Sequence, residues 1–230
     1  MRDIPKSVML FAAGFGTRMQ HLTQDMPKPL IKVSGRTLVD HALVLAEAVQ
    51  PDVIVANLHY MPQMLEQHLA PLGVKTVLES PHILETGGGL RNAMSLLGSG
   101  PVWTMNTDAI WSGPNPLKML RTAWQPDKMD ALLMCIPTSQ AVSYDGVGDF
   151  KMNEQGQLNR APGLVYGGVQ IIKTTVLLDI KDTSFSLNVP WNSLLADQRL
   201  YGLSYPGQWC DVGHPDGIEA AEALLRQENV

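Results

Sequence analysis

Leu10-Phe11-Ala12-Ala13-Gly14-Phe15-Gly16-Thr17-Arg18-Met19, followed shortly by Pro27-Lys28-Pro29-Leu30, is the stretch on which the reading of this chain turns. The apolar run 7–11 has the character of a buried strand, and it leads directly into a glycine-rich turn. Glycine lets the backbone approach a phosphate closely and take positive φ where a turn needs it. Successive free N–H groups in such a turn form a concavity for an anion. Arg18 can add a forked contact to a phosphate. Lys28, stiffened by a proline on each side, can deliver a point charge to the same place. Two other phosphate loops fail on spacing. A Walker loop needs Lys-Ser/Thr directly after its last glycine. A dinucleotide fingerprint needs a third glycine where Met19 stands.

Outward from this loop, short apolar runs alternate with longer amphipathic segments. The pattern predicts strands at 53–56, 75–78, 102–106 and 131–136. It predicts helices at 37–49 and 61–69, and one at 90–97 entered through Gly87-Gly88-Gly89. Strands alternating with helices imply βαβ crossovers and an α/β fold with a doubly wound, mostly parallel sheet. After Pro137 the texture changes. Asn153-Glu154-Gln155-Gly156 sits between short alternating segments, as in a hairpin. A strand, with antiparallel pairing left open, is expected at 163–172, a helix at 189–198, a short strand at 208–212 and a terminal helix at 215–226. The expectation is a single domain over 1–230. A nucleotide-binding part covers about 1–136, and a smaller lobe with the C-terminal helix covers about 137–230.

The 230 residues are 45% hydrophobic and 17% charged, the balance of a globular chain. A formal net charge of −5 argues against coating nucleic acid through bulk charge, but leaves room for one local basic pocket. Cys135 and Cys210 have neither zinc-ligand spacing nor the density of a disulfide scaffold. No apolar run is long enough for a transmembrane helix. Met1 to Lys6 leads into a strand and a glycine loop, not a secretory segment, so a cytoplasmic protein is expected. There is no Gly-x-Ser-x-Gly elbow, and the histidines show no metal spacing.

Two acids complete the chemistry. Asp108 follows the strand that ends at Asn106, and Asp211 follows Gln208-Trp209-Cys210. Carboxylates at strand ends sit where open α/β sheets bind ligands. Mg²⁺ is held by one or two carboxylates plus substrate phosphates and water, so this pair is the expected Mg²⁺ site.

The segment Ala12-Ala13-Gly14-Phe15-Gly16-Thr17-Arg18 with Pro27-Lys28-Pro29 resembles the signature of the sugar-1-phosphate nucleotidyltransferases. These enzymes condense a nucleoside triphosphate with a sugar phosphate and release pyrophosphate. The resemblance runs from Val8 to about Leu225 and implies a Rossmann-like nucleotidyltransferase fold with a small sugar-binding lobe. It implies catalytic roles for Arg18 and Lys28, with Ala12, Ala13, Gly14, Gly16 and Thr17 holding the nucleotide. It places metal ligands at Asp108 and Asp211. The family often has glycine before the first acid; Thr107 stands there in Asn106-Thr107-Asp108, where it can crowd nucleotide or sugar.

Leu84-Glu85-Thr86-Gly87-Gly88-Gly89 is similar to a loop of the short uridylyltransferases that activate N-acetylmuramate 1-phosphate in cell-wall recycling. Mannose-1-phosphate guanylyltransferases carry a related loop. Base contacts are thereby expected from Glu79, Thr86, Gly87, Gly88 and Asn106, with UTP favoured. His59 is read as a hydrogen-bonding residue. Gly148, Asp149 and Gly167 fall where the family's sugar-binding lobe should be. The expected partners are a nucleoside triphosphate and a sugar 1-phosphate, without nucleic acid or membrane, a homo-oligomer being left open. Guanylyl transfer to a mannose or heptose phosphate, a glycosyltransferase and a non-catalytic nucleotide-sugar sensor are the rival readings. The triphosphate-type loop speaks against the glycosyltransferase.

Overall fold

A computed structural model describes residues 3–228; Met1, Arg2, Asn229 and Val230, and with them the two ends of the sequence reading, lie outside the described residues. In chain order the elements are β1 (Ser7–Phe11), β2 (Lys32–Val33), β3 (Arg36–Thr37), α1 (Leu38–Glu47), β4 (Val53–Leu58), α2 (Pro62–Leu69), β5 (Lys75–Leu78) and α3 (Glu85–Leu97). There follow β6 (Pro101–Asn106), β7 (Ala109–Ser112), α4 (Pro116–Ala123), β8 (Ala131–Ile136), β9 (Ala141–Val142), β10 (Phe150–Met152) and β11 (Leu158–Arg160). The chain ends through β12 (Val165–Lys173), α5 (Asn188–Ala196), β13 (Leu200–Ser204), β14 (Gln208–Asp211) and α6 (Asp216–Glu228).

Seven strands form one sheet in the order β13-β8-β12-β6-β1-β4-β5. Its pairings are parallel except those of β12, which runs antiparallel to both neighbours. From β1 the chain builds outward through β4 and β5, then returns to place β6 on the other side of β1. That reversal opens a crevice at the carboxyl ends of β1 and β6, where α/β sheets bind ligands. Both faces are covered, which gives the doubly wound arrangement. Along β1, Val8 and Leu10 pack towards the side of α1, α2 and α4, and Met9 packs towards α3 and α5. Burial of each such side chain is worth about 1.5–3 kcal/mol relative to exposure.

Residues past 137 are less separate than their sequence texture implies. β12 inserts into the centre of the sheet and β13 extends its edge. Outside it stand the β10–β11 hairpin and a three-stranded sheet, β7-β14-β9. In the hairpin turn, Asn153 Oδ1 accepts from the amides of Gln155 and Gln157, and Gly156 takes φ 87°. A third apolar cluster joins Met19, Ile31 and Leu38 to Ile110, Val212 and Leu224. It anchors the segments carrying Lys28, Asp108 and Asp211 to one another.

The largest departure from expectation is at α3. This helix begins at Glu85, so Gly87, Gly88 and Gly89 lie inside it, not in a loop before it. Their lack of a side chain serves packing. A Cβ on Gly87 would collide with the Phe185 ring, one on Gly88 would stand 2.5 Å from the Thr183 carbonyl, and one on Gly89 would stand 2.5 Å from Glu79 Oε1.

Candidate active site

β1 and β6 are in register with Phe11 opposite Asn106, so the glycine loop and Asn106-Thr107-Asp108 emerge side by side. Gly16 sits in the left-handed region at φ 65°, and a Cβ there would lie 2.9 Å from Lys28 Cβ. Glycine at this position therefore lets the Pro27-Lys28-Pro29 segment close against the loop. Its carbonyl accepts from Met19 N (2.9 Å) and Thr23 Oγ1 (3.0 Å), which holds the turn in shape.

Lys28 is buried, with its side chain 10% exposed, and Nζ donates to Asp108 Oδ2 at 2.7 Å. A buried ammonium needs such a partner, because desolvation of an unpaired charge is costly. The Val212 amide donates to the Asp108 carbonyl at 3.0 Å, which brings the end of β14, and so Asp211, beside Asp108. Burial raises the Asp211 carboxyl above its ordinary value, and the negative charge of Asp108 raises it further; Lys28, Arg18 and His214 oppose the shift. Arg18 Nη1 lies 3.9 Å from Asp211 Oδ2 and 3.4 Å from His214 Nε2, with the guanidinium largely exposed. A Cβ on Gly213 would stand 2.8 Å from both Arg18 Nη1 and Asp211 Oδ2, so the arginine's approach depends on that glycine.

The cleft has a volume of about 290 Å³. Ala12, Ala13, Gly14, Gly16, Thr17, Arg18, Lys28, Glu79, Thr86, Asn106 and Asp108 all line it, so most of the expected nucleotide and catalytic residues converge. Asp211 adjoins this set through Arg18 and Asp108. Two carboxylates are too few for a closed protein cage, and among the described residues no group of three or more His, Cys, Asp or Glu is clustered. Their oxygens are hard donors, of the kind that could hold a partly hydrated cation.

Five expected ligand residues stand apart from the cleft lining. The amides of Gly87 and Gly88 both donate to the Phe185 carbonyl, at 2.9 and 3.0 Å, instead of facing a base. Gly148 packs on Gly163, and Gly167 is pressed against Trp111 and Ile136. Asp149 Oδ2 accepts from the Tyr166 amide at 2.9 Å. None of these five positions lines the cleft.

Other residues were missed. Asn57 Oδ1 accepts from Ala12 N at 2.8 Å, and its Nδ2 donates to Glu79 Oε1 at 2.6 Å. Glu79 Oε2 accepts from Leu84 N at 2.7 Å. A buried chain of polar contacts thus ties the start of the glycine loop to the entry of α3. Asn57 carried a signal, as a polar residue near the end of an apolar strand; Gly213 and His214 became meaningful only through Arg18. His59 Nδ1 lies 2.8 Å from the Glu79 carbonyl, in keeping with a hydrogen-bonding role. Thr107 lines the cleft, with its hydroxyl donating to the Phe11 carbonyl at 2.8 Å.

Residues 8–205 match the family described as the MobA-like NTP transferase domain. The chain is 37% identical to an N-acetylmuramate alpha-1-phosphate uridylyltransferase of Caulobacter vibrioides, over 99% of this chain and all of that protein. It is 28% identical to a mannose-1-phosphate guanylyltransferase catalytic subunit beta of Dictyostelium discoideum, over 90% of this chain and 61% of that one. The fold superposes with a TM-score of 0.76 on a UDP-glucose pyrophosphorylase solved with UDP-glucose, at 17% identity, covering 97% of this chain and all of the other.

Proposed function

The chain belongs to the MobA-like NTP transferase family and is a sugar-1-phosphate nucleotidyltransferase, and from that premise we propose that it transfers a uridylyl group from UTP to N-acetylmuramate 1-phosphate. The observation that carries the choice of substrates is the 37% identity with the Caulobacter vibrioides uridylyltransferase along the full length of both chains. Lys28, Asp108 and Asp211 meeting at one end of the cleft supports the chemistry.

In this reading the glycine loop holds the triphosphate with backbone amides and Arg18 binds a phosphate at the exposed rim. Lys28, fixed by its prolines and by Asp108, sets a positive charge beside the reacting phosphorus. A sugar-phosphate oxygen attacks the α-phosphorus in line and pyrophosphate leaves. No protein nucleophile is required, because positioning and charge stabilisation dominate such transfers. Asp108 and Asp211 would hold Mg²⁺, which supplies charge neutralisation for the triphosphate. Their hard oxygen donors, and the raised carboxyl of Asp211 beside the charge of Asp108, fit a cation there.

Pyrophosphate release measured for four NTPs against a panel of sugar phosphates tests the assignment. The expected result is UTP above GTP by about 10²-fold in kcat/KM, since a site built for one base edge leaves the other base's polar groups unpaired. Preference for GTP with mannose 1-phosphate would reject it and install the guanylyl reading, which the Dictyostelium discoideum relative supports at 28% identity.

A further inference from the structure

Arg160 is the last residue of β11. Its guanidinium carbon lies 4.6 Å from the centroid of the Phe150 ring and 5.8 Å from that of Trp191. One Nη donates to Oδ1 of Asn188, the first residue of α5. No carboxylate among the described residues comes within ion-pair distance of it. Two other arginines away from the cleft are engaged differently. Arg199 bonds both oxygens of Asp130, and Arg91 bonds the carbonyls of Ile180 and Asp182. A guanidinium has five donors in a planar fork that matches a carboxylate. Arg160 holds that fork against two rings with one side-chain bond made. Partial burial lowers its pKa while Asp149 opposes the shift; the residue stays exposed and in no ion pair, so its fork is open to an incoming anion.

Its place is beside the cleft. The Leu187 amide donates to Thr86 Oγ1 at 3.0 Å, and Thr86 lines the cleft wall. Asn188, the next residue, is the partner of Arg160. The arginine is therefore tied to that wall through a short run of chain. N-acetylmuramate 1-phosphate carries two anions: the phosphate, and the carboxylate of a lactyl ether that unsubstituted hexosamine phosphates lack. Lys28 and Arg18 answer the phosphates.

We propose that Arg160, held flat by Phe150 and Trp191 beside the Thr86 wall, receives the lactyl carboxylate and selects the muramic sugar over unsubstituted hexosamine 1-phosphates. The inference rests on the substrate assigned above. Arg160 touches no reacting atom in this account; it determines specificity.

The test compares N-acetylmuramate 1-phosphate with its lactyl methyl ester, which keeps the shape and removes the charge. Wild type is expected to prefer the acid by about 10- to 100-fold in kcat/KM, the worth of a charge-assisted hydrogen-bonded contact. Arg160→Gln should lose that factor on the acid and change less than about 3-fold on the ester, so the preference collapses. Arg160→Lys should restore part of it, because charge returns without the fork. Equal losses on acid and ester would make Arg160 a structural residue and overturn the inference. Wild type indifferent to esterification would overturn it without any variant, so a variant that fails to fold does not shield it. Uridylyl transfer to the muramic phosphate with no acid–ester preference sinks this inference alone. Failure of wild type to use that phosphate at all sinks the substrate assignment first, and this inference with it.

Discussion

The two ends of the cleft use their residues in opposite ways. Around Lys28, side chains from distant segments face one another: Lys28 meets Asp108 at 2.7 Å, and Arg18 stands 3.9 Å from Asp211. At the entry of α3, glycines serve other elements of the protein. Gly87 and Gly88 accommodate the 183–185 segment, and Gly89 accommodates the polar chain of Asn57 and Glu79. A buried lysine among acids has little reason to exist except charge chemistry. A glycine has two reasons, an exposed backbone or a close approach, and the sequence does not separate them.

The comparison breaks most visibly if the Lys28 end is not the chemical end. Lys28→Ala is expected to lower kcat by at least about 10²-fold, since charge stabilisation is usually the largest catalytic contribution. Its thermal midpoint should stay close to that of wild type. A folded variant with near-normal kcat would move the chemistry elsewhere. Asp211→Asn should raise the Mg²⁺ concentration for half-activation by about 10-fold or more, because one of two carboxylates is lost. An unchanged Mg²⁺ titration removes Asp211 from the site.

Gly87→Val sharpens the contrast. The sequence reading places Gly87 against the base and expects damage to UTP binding. The structure makes the added side chain an overpacking event against Phe185. Overpacking costs about 1–3 kcal/mol, so the thermal midpoint should fall by several degrees. The folded fraction should keep its KM for UTP within about 3-fold, the amide partners of α3 being protein atoms. A normal midpoint with a selective rise in KM would return Gly87 to the base site.

Legibility followed the same division. The strand-to-glycine-loop transition, the proline-flanked lysine and the strand-end acids carry local signals, and the structure brings Arg18, Lys28, Asp108 and Asp211 together. The sheet was legible because apolar runs buried on both faces announce parallel strands. What escaped depends on partners far along the chain. Nothing near Gly87 reveals that Phe185 packs on it, and nothing near Arg18 reveals that Gly213 must lack a side chain. The position of β12 escaped for a related reason. A run of apolar residues is equally suited to a separate lobe or to the middle of the main sheet, and only pairing with β6 and β8 decides.

The smallest effect belongs to a charge cluster at neither end. Asp130 accepts from Arg199 at 3.0 and 2.9 Å and from Lys173 at 2.7 Å. The Arg199 bonds, followed by the Lys173 contact and opposed by burial, hold its carboxyl below the ordinary value of 3.8. Because the folded state binds this proton more weakly than the unfolded chain, the cluster stabilises fully above the unfolded value. The contribution is lost as pH falls through the lowered folded value. Asp130→Asn should therefore cost about 1 kcal/mol near neutral pH, the scale of a partly exposed ionic network. The gap in thermal midpoint between variant and wild type should be level from about pH 6 to 8 and close below about pH 4. Nucleotidyl transfer by the folded variant should stay within about 2-fold of wild type, since none of the three side chains lines the cleft. A stability gap that widens in acid would contradict the lowered carboxyl. A large loss of activity without unfolding would show that charge chemistry is not confined to the end of the cleft where Lys28 meets Asp108.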